Sequence, residues 1–263
     1  MYKRQIINSN NARNELNKLF KNGHFTLFFQ PIVDIKENKV VKMEALIRIL
    51  NNKTEIIGPY FLDYFKVLNK MTEVDYWVIE ESFKYGRLLK KQNEILPISI
   101  NISAETFKQE HFVEKIIKLA ENFEVNPNEF TLEIVEEDCL ININDVKDKM
   151  IKLKNAGFKI AIDDFGTGYS NLSYLIDLPV DYIKIDRQFV INLNSEKGQK
   201  ILKNIINLCF SIDCKVIIEG IENKKELELV EQYGASIIQG YYFFKPDEFN
   251  KTLASISTKI LVS

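Results

Sequence analysis

The period of apolar and polar positions changes along this chain. From residue 95 onward, a short apolar and β-prone run gives way to a polar turn, then to an amphipathic stretch of helical period, and the cycle repeats. The β-prone runs fall at 98–102, 130–135, 159–162, 182–185, 215–218 and 236–238. Helical stretches lie near 111–122, 142–156, 170–176, 195–211 and 223–233. Several open on Asn, Asp or Ser, whose side chains accept from the unpaired N–H groups of a first turn. Two earlier β-rich runs, 26–32 and 40–49, flank the turn-like Lys36-Glu37-Asn38-Lys39. Alternating strand and helix predicts a parallel sheet, and eight strands predict its closure into a barrel. The first two strands are joined too tightly for a parallel crossover, which takes about a dozen residues or more. The predicted fold is therefore α/β, a modified (β/α)8 TIM-like barrel with an antiparallel first strand. The stretch 61–91, with Tyr76, Trp77, Ile79 and Phe83, predicts a helical hairpin covering that barrel.

Composition narrows the class. At 263 residues, 46% hydrophobic and 27% charged, the chain reads as one soluble globular unit with a large core. Lys plus Arg (35) nearly balances Asp plus Glu (37), so no long-range field favours a nucleic-acid polymer or an anionic membrane, and a phosphate-bearing ligand must be held locally. Residues 1–14 are polar, and no run reaches about 18 apolar residues. Neither a signal peptide nor a membrane span is expected, and the expected location is cytoplasmic. Cys139, Cys209 and Cys214 form no CxxC pair and read as plain reduced thiols. His24 and His111 stand far apart, which argues against histidine catalysis and a zinc triad. The chemistry is left to carboxylates.

Polar residues interrupt the apolar strands toward one end. Glu44, Asn101 and Glu133 sit within or at the end of their runs, Asp163 and Asp164 follow 160–162, Lys184 and Asp186 flank Ile185, Glu219 follows 216–218, and Gln239 follows 236–238. In a parallel barrel these C-terminal ends share one rim, where active sites of this architecture lie. One such acid is ordinarily a solvated strand end. Several on one rim repel each other and need positive charge that a single lysine, Lys184, does not supply. One or two divalent cations do. Glu44, Asn101, Glu133, Asp163, Asp164 and Glu219 form an all-oxygen set, which selects Mg2+ or Mn2+ over zinc or copper. Adjacent Asp163 and Asp164 are a natural bridge between two ions about 3.5 to 4 Å apart, the spacing used for in-line attack on phosphorus. The glycine-rich loop 163–170 either cradles phosphate or caps the following helix, and its pattern alone leaves both open.

At Glu44-Ala45-Leu46 these residues meet a named pattern: the chain resembles the EAL domain of bacterial cyclic di-GMP phosphodiesterases. The resemblance runs from about 13 to about 248 through Phe29-Gln30-Pro31, Glu44-Ala45-Leu46-Ile47-Arg48, Asn101-Ile102-Ser103, Glu133-Ile134-Val135-Glu136, Asp163-Asp164-Phe165-Gly166, Lys184-Ile185-Asp186, Glu219-Gly220-Ile221-Glu222 and Gln239-Gly240-Tyr241. It implies an N-terminal extension at 1–12, an EAL phosphodiesterase domain at 13–250 and a C-terminal tail at 251–263. It implies hydrolysis of cyclic di-GMP to linear pGpG with two Mg2+ or Mn2+ ions per site. Glu44, Asn101, Glu133 and Asp163 would hold one ion, and Asp163, Asp164 and Glu219 would surround the second. Lys184 would contact the attacking water, so Lys184, Glu219 and Asp164 form the catalytic set. Gln30 and Arg48 would meet substrate, with Asp186 and Gln239 supporting the pocket. Glu136 would anchor the loop from Asp164 to Ser170 through backbone N–H groups or Thr167. A homodimer through helices near that loop is also implied. Val135 and Glu137 stand where the family commonly has Thr and Ser, and Ile49 where an aromatic is frequent; none of the three is an implied metal ligand. The alternative is a catalytically weak EAL domain serving as a cyclic di-GMP receptor or protein-interaction module.

Overall fold

A computed structural model describes residues 9–51, 55–92, 94–136, 142–167 and 174–258 of the chain. Its strands are β1 (Gly23–Asp34), β2 (Lys39–Asn51), β3 (Glu55–Ile57), β4 (Ile98–Ile102), β5 (Phe130–Val135), β6 (Lys159–Phe165), β7 (Tyr182–Ile185), β8 (Lys215–Glu219), β9 (Ile237–Gln239) and β10 (Asp247–Glu248). The helices are α1 (Ser9–Asn22), α2 (Leu62–Val67), α3 (Met71–Lys91), α4 (Ala104–Phe107), α5 (Phe112–Asn122), α6 (Ile143–Asn155), α7 (Tyr174–Asp177), α8 (Arg187–Ile191), α9 (Glu196–Ser211), α10 (Lys224–Gln232) and α11 (Phe249–Thr258). Glu137, Cys139 and the loop residues Gly168, Tyr169 and Ser170, all singled out in the sequence, lie outside the described residues.

The barrel closes in the order β1, β9, β8, β7, β6, β5, β4, β2, with β2 returning to β1. Strand β1 runs antiparallel to β2 and β9, and every other pair around the ring is parallel. The tight β1–β2 connection is a polar turn. Asn38 takes φ +50° there, and Asp34 Oδ1 accepts the Lys36 N–H at 3.0 Å. Asn and Asp favour such turns because their side chains satisfy nearby backbone and Asn tolerates the left-handed region. Strands β3 and β10 are additions the sequence pattern did not indicate; they pair with β2 and β1 at the margin.

Alternation along each strand builds two interiors. Ile98, Ile100, Ile102, Phe130, Leu132, Ile134, Ile160, Ile162, Ile183, Ile185, Val216 and Ile218 are each at most 2% exposed and form the layer under the helices. Full burial of one such side chain stabilises by about 1.5 to 3 kcal/mol. Their neighbours Ser99, Asn101, Thr131, Glu133, Asp163, Lys184 and Glu219 point the other way, into the barrel, because successive side chains alternate between faces. Helix α3 packs tightly on this layer. The Phe83 and Phe130 rings lie 4.7 Å apart edge to face, and a Cβ at Gly86 would sit 2.5 Å from Phe130 Cζ.

Several helix starts follow the expected capping. Ser195 accepts from the Gly198 N–H, Asn223 from Glu226 and Asp186 from Gln188. Asn142, at φ +66°, makes no such side-chain bond. Helix α1 runs through the 12/13 division and buries Ala12 and Leu16. Helix α11 likewise runs across 250/251. Its buried Thr252 donates to the Phe29 carbonyl at 3.2 Å, and Phe249 packs on Phe29 and Tyr85. Residues 251–258 continue this helix.

Candidate active site

The strand ends converge on a buried ammonium. Lys184, 1% exposed on β7, places Nζ 2.6 Å from Glu133 Oε2, 2.7 Å from Glu219 Oε1, 3.1 Å from Asp163 Oδ1 and 3.6 Å from Glu44 Oε2. Strands β5, β8, β6 and β2 thus deliver one carboxylate each. From β4, Asn101 donates to Glu44 Oε1 at 2.7 Å, and from β9, Gln239 donates to Glu44 Oε2 at 2.6 Å. Gln239 also donates to Gln30 Oε1 on β1, and Gln30 in turn donates to the Phe244 carbonyl. One residue from each of the eight strands of the ring is linked through these contacts.

Asp163 and Asp164 are successive, so a regular strand would send them to opposite faces. Strand β6 breaks its register with β7 between Ile162 and Phe165, and Asp164 adopts φ +54°. The irregularity turns both carboxylates toward the rim: Asp163, Asp164 and Glu219 each bring an oxygen within 4.8 Å of the others. The next glycine is required by the same turn. Gly166 has φ +84°, and a Cβ there would lie 2.6 Å from Phe189 Cζ. Its N–H donates to Glu136 Oε2 at 2.7 Å, while Tyr174 donates its hydroxyl to Glu136 Oε1 at 3.0 Å. Glu136 is 1% exposed and ties the two described flanks of the loop together. Thr167 is not its partner; that hydroxyl donates to the Asp164 carbonyl at 2.8 Å.

Burial dominates the electrostatics. It pushes the Glu133 carboxyl up to about 7 and that of Glu219 up to about 8, against the pull of Lys184, with neighbouring acids adding to the rise. Burial and the charges of Asp163 and Asp186 push Asp164 up to about 6. At Glu44 burial acts upward too, but Lys184 and the Gln239 and Asn101 hydrogen bonds outweigh it and hold the carboxyl below its usual value. For Lys184 burial opposes the charge, yet Asp163, Glu133, Glu219 and Glu44 together hold the ammonium well above its ordinary range.

The donor set fits divalent cations. Glu133 Oε1 and Asp163 Oδ1 are buried and accept no hydrogen bond among the described residues, although Asp163 Oδ1 lies close to Lys184. Buried carboxylate oxygens ordinarily have hydrogen-bond partners, and unused lone pairs beside other hard oxygen donors are what Mg2+ or Mn2+ takes.

Two concavities flank the cluster. One, about 750 Å3, is lined by Arg48, Lys66, Asp75, Asn101, Ser103 and Asp164 among others. The second, about 210 Å3, is lined by Gln30, Glu44, Arg187, Glu219, Glu222 and Tyr241 among others. Arg48 is half-buried and donates to its own residue's neighbour, the Ile47 carbonyl, at 2.8 Å. Asp186 caps α8 through Gln188 and reaches the site through its charge on Asp164. Among the buried charged residues the sequence reading did not single out, Lys42 and Asp75 lie near the site. Lys42 lies one step below Glu44 on the same face of β2, donates to Thr131 Oγ1 at 2.8 Å and sits 3.7 Å above the Tyr182 ring. Period two from Glu44 is the signal that points to it. Asp75 is a buried acid on the apolar face of α3, between Val74 and Tyr76.

Comparison with known proteins agrees with this architecture. The EAL domain pattern matches residues 13–246. The chain is 30% identical over 224 residues to the cyclic di-GMP phosphodiesterase PA2567 of Pseudomonas aeruginosa, covering 84% of this chain and 38% of that protein. It is 31% identical over 234 residues to the probable cyclic di-GMP phosphodiesterase PdeG of Escherichia coli, covering 88% and 46%. With the signaling protein YkoW of Bacillus subtilis it shares 30% over 233 residues, only 29% of that relative's length, so the chain spans less than half of these curated relatives. Among solved structures, the EAL enzyme Bd1971 in its cAMP- and cyclic-di-GMP-bound form superposes with TM-score 0.87 at 31% identity, covering 94% of this chain and 69% of that one. The PaMucR phosphodiesterase in its c-di-GMP complex superposes with TM-score 0.85 at 26% identity, covering 92% and 99%. With the EAL pattern matching residues 13–246 and the barrel superposing on solved EAL structures, this chain belongs to the EAL domain family.

Proposed function

We propose that the chain is a metal-dependent phosphodiesterase that opens cyclic di-GMP to linear pGpG. The observation that carries this is the convergence of Glu44, Asn101, Glu133, Asp163, Asp164 and Glu219 around Lys184 at the C-terminal rim. Relatives named cyclic di-GMP phosphodiesterases and structural neighbours with bound cyclic di-GMP support the substrate. Glu44, Asn101, Glu133 and Asp163 would hold one Mg2+ or Mn2+ ion, and Asp163, Asp164 and Glu219 the other. Such ions, when bound, neutralise the acids, acidify a water and stabilise charge on phosphoryl oxygens. The carboxylates would then no longer all need Lys184, whose Nζ donates to the attacking water and orients it toward phosphorus. Gln239 aims the Glu44 carboxylate, and Gln30 fixes Gln239. Arg48 serves the substrate in the larger groove, and Asp186 acts on the pocket through Asp164. Glu136 keeps the segment after Asp164 in place.

The test is incubation with cyclic di-GMP and Mg2+ or Mn2+, followed by chromatography of the nucleotides. Conversion to pGpG that stops in excess chelator is expected. Intact cyclic dinucleotide with metal present would overturn the reading, and retained binding would then favour the receptor alternative. We further propose a homodimer, supported by exposed Ile176, Ile191 and Ile201 on α7, α8 and α9, helices that follow the glycine-rich loop in the chain; a monomeric mass in light scattering would refute it. No helix among the described residues is long and apolar enough to cross a membrane. A cytoplasmic location is proposed on the strength of the nucleotide substrate.

A further inference from the structure

Strand β4 ends one residue after Asn101, and what stops it lies on a different element. Ser103 leaves the strand with φ −71° and ψ 154° and begins the single turn of α4. Its N–H donates to Asp75 Oδ2 on α3 at 3.0 Å. The Ser103 hydroxyl and the Thr106 hydroxyl donate to that same oxygen. Glu105 makes the reciprocal contact, accepting from the Met71 and Thr72 N–H groups and the Thr72 hydroxyl at the first turn of α3. One carboxylate oxygen thus gathers three donors from the segment that follows Asn101, and Asp75, Asn101, Ser103 and Glu105 line the same groove.

The choice of an acid here is not explained by stability alone. Asp75 is 4% exposed and no lysine or arginine pairs with it among the described residues. Burying a carboxylate among neutral donors costs more than burying a neutral side chain of the same shape. What the charge adds is stiffness. Hydrogen bonds to an ionised acceptor are shorter and roughly twice as strong as neutral ones. The group being stiffened is the exit of β4, two residues from a carboxamide that holds Glu44 at 2.7 Å.

We propose that Asp75 is a positioning residue that fixes the Asn101 carboxamide for metal binding by clamping Ser103 and Thr106. The inference rests on the assignment of Asn101 as a metal ligand. Outer partners that orient ligands typically change metal affinity about 10- to 100-fold when removed. The test is calorimetric titration of Mn2+ into the metal-free full chain, with melting temperature recorded in chelator. Asp75→Ala is expected to weaken Mn2+ binding about tenfold. Asp75→Asn, which keeps one acceptor oxygen, recovers part of that loss. In an Asn101→Ala background, Asp75→Ala adds nothing further, because both act through one group. If Asp75→Ala does not fold, Ser103→Ala gives the same reading with a smaller loss. Variants that melt lower yet bind Mn2+ like the wild type would overturn the proposal, as would full additivity with Asn101→Ala. A wild type that binds no Mn2+ would instead overturn the metal reading, and this inference with it.

Discussion

Lys184 concentrates the residue-scale chemistry. In the metal-free protein its ammonium faces four carboxyl groups, so its removal has consequences beyond the loss of a catalytic donor. Lys184→Met should lower kcat by about 100-fold or more, the usual contribution of a positioned proton donor or acceptor. The same variant should be destabilised in chelator by about 3 kcal/mol, the cost of leaving buried charges unpaired, or roughly 6 to 12 °C in melting temperature. Mn2+ should largely remove that deficit, since the cation takes over the neutralisation. Equal losses of Tm with and without metal would return Lys184 to a purely structural ion pair. The lysine and the acids were legible in the sequence, because each breaks an apolar run. Their mutual contacts were not legible, because a sequence reading assigns the balancing charge to the cation and has no measure of a lysine reaching four strands.

At the scale of elements, the decisive feature is the irregular end of β6. The alternation of apolar positions located the parallel strands and put Asp163 and Asp164 together just past one of them, but a regular strand continued there would send the pair to opposite faces. The register break and the left-handed Asp164 reverse that, and neither has a sequence signal apart from the glycine that follows. Gly166→Ala is accordingly expected to cost about 1 to 2 kcal/mol from the left-handed backbone alone, with the Phe189 contact adding to it. It should also weaken metal-supported turnover, and wild-type metal dependence would show that the turn does not control Asp164. Glu136→Ala acts on the other end of the same device. Losing charge-assisted bonds of about 1.5 to 3 kcal/mol should reduce kcat and apparent metal affinity by roughly one to two powers of ten, with little global unfolding. Unchanged kinetics and metal titration would leave Glu136 a structural acid. Helices α1 and α11 were missed for a different reason: the polar, Asn-rich start and the short stretch near the end read by composition as an extension and a tail, and their docking through Leu16, Phe249 and Thr252 depends on tertiary partners.

For the whole molecule, the acids at the rim tie folding, metal binding and protons together. Glu133 and Glu219, pushed up to about 7 and about 8, retain protons in the folded state at pH values where the unfolded chain has released them. The folded state therefore binds more protons between the usual carboxylate range and those values, and stability falls as pH rises through that window. The other perturbed groups do not cancel this. Glu44, held below its usual value, adds stability that is lost only at more acidic pH. Lys184, held above its range, adds stability already fully present below 10.5. Lys42, lowered to about 8 chiefly by burial, makes stability rise with pH only between about 8 and 10.5. In chelator, the melting temperature is thus expected to fall from pH 6 to pH 8. Divalent cations reverse the sign, because they bind the deprotonated acids and displace the protons, so metal affinity rises with pH over the same interval. Calorimetry of Mn2+ binding at pH 7 in two buffers of different ionisation enthalpy should report net proton release. A melting temperature in chelator that rises from pH 6 to pH 8, or metal binding without proton release, would contradict the protonated rim and require its charges to be compensated by groups other than those gathered around Lys184.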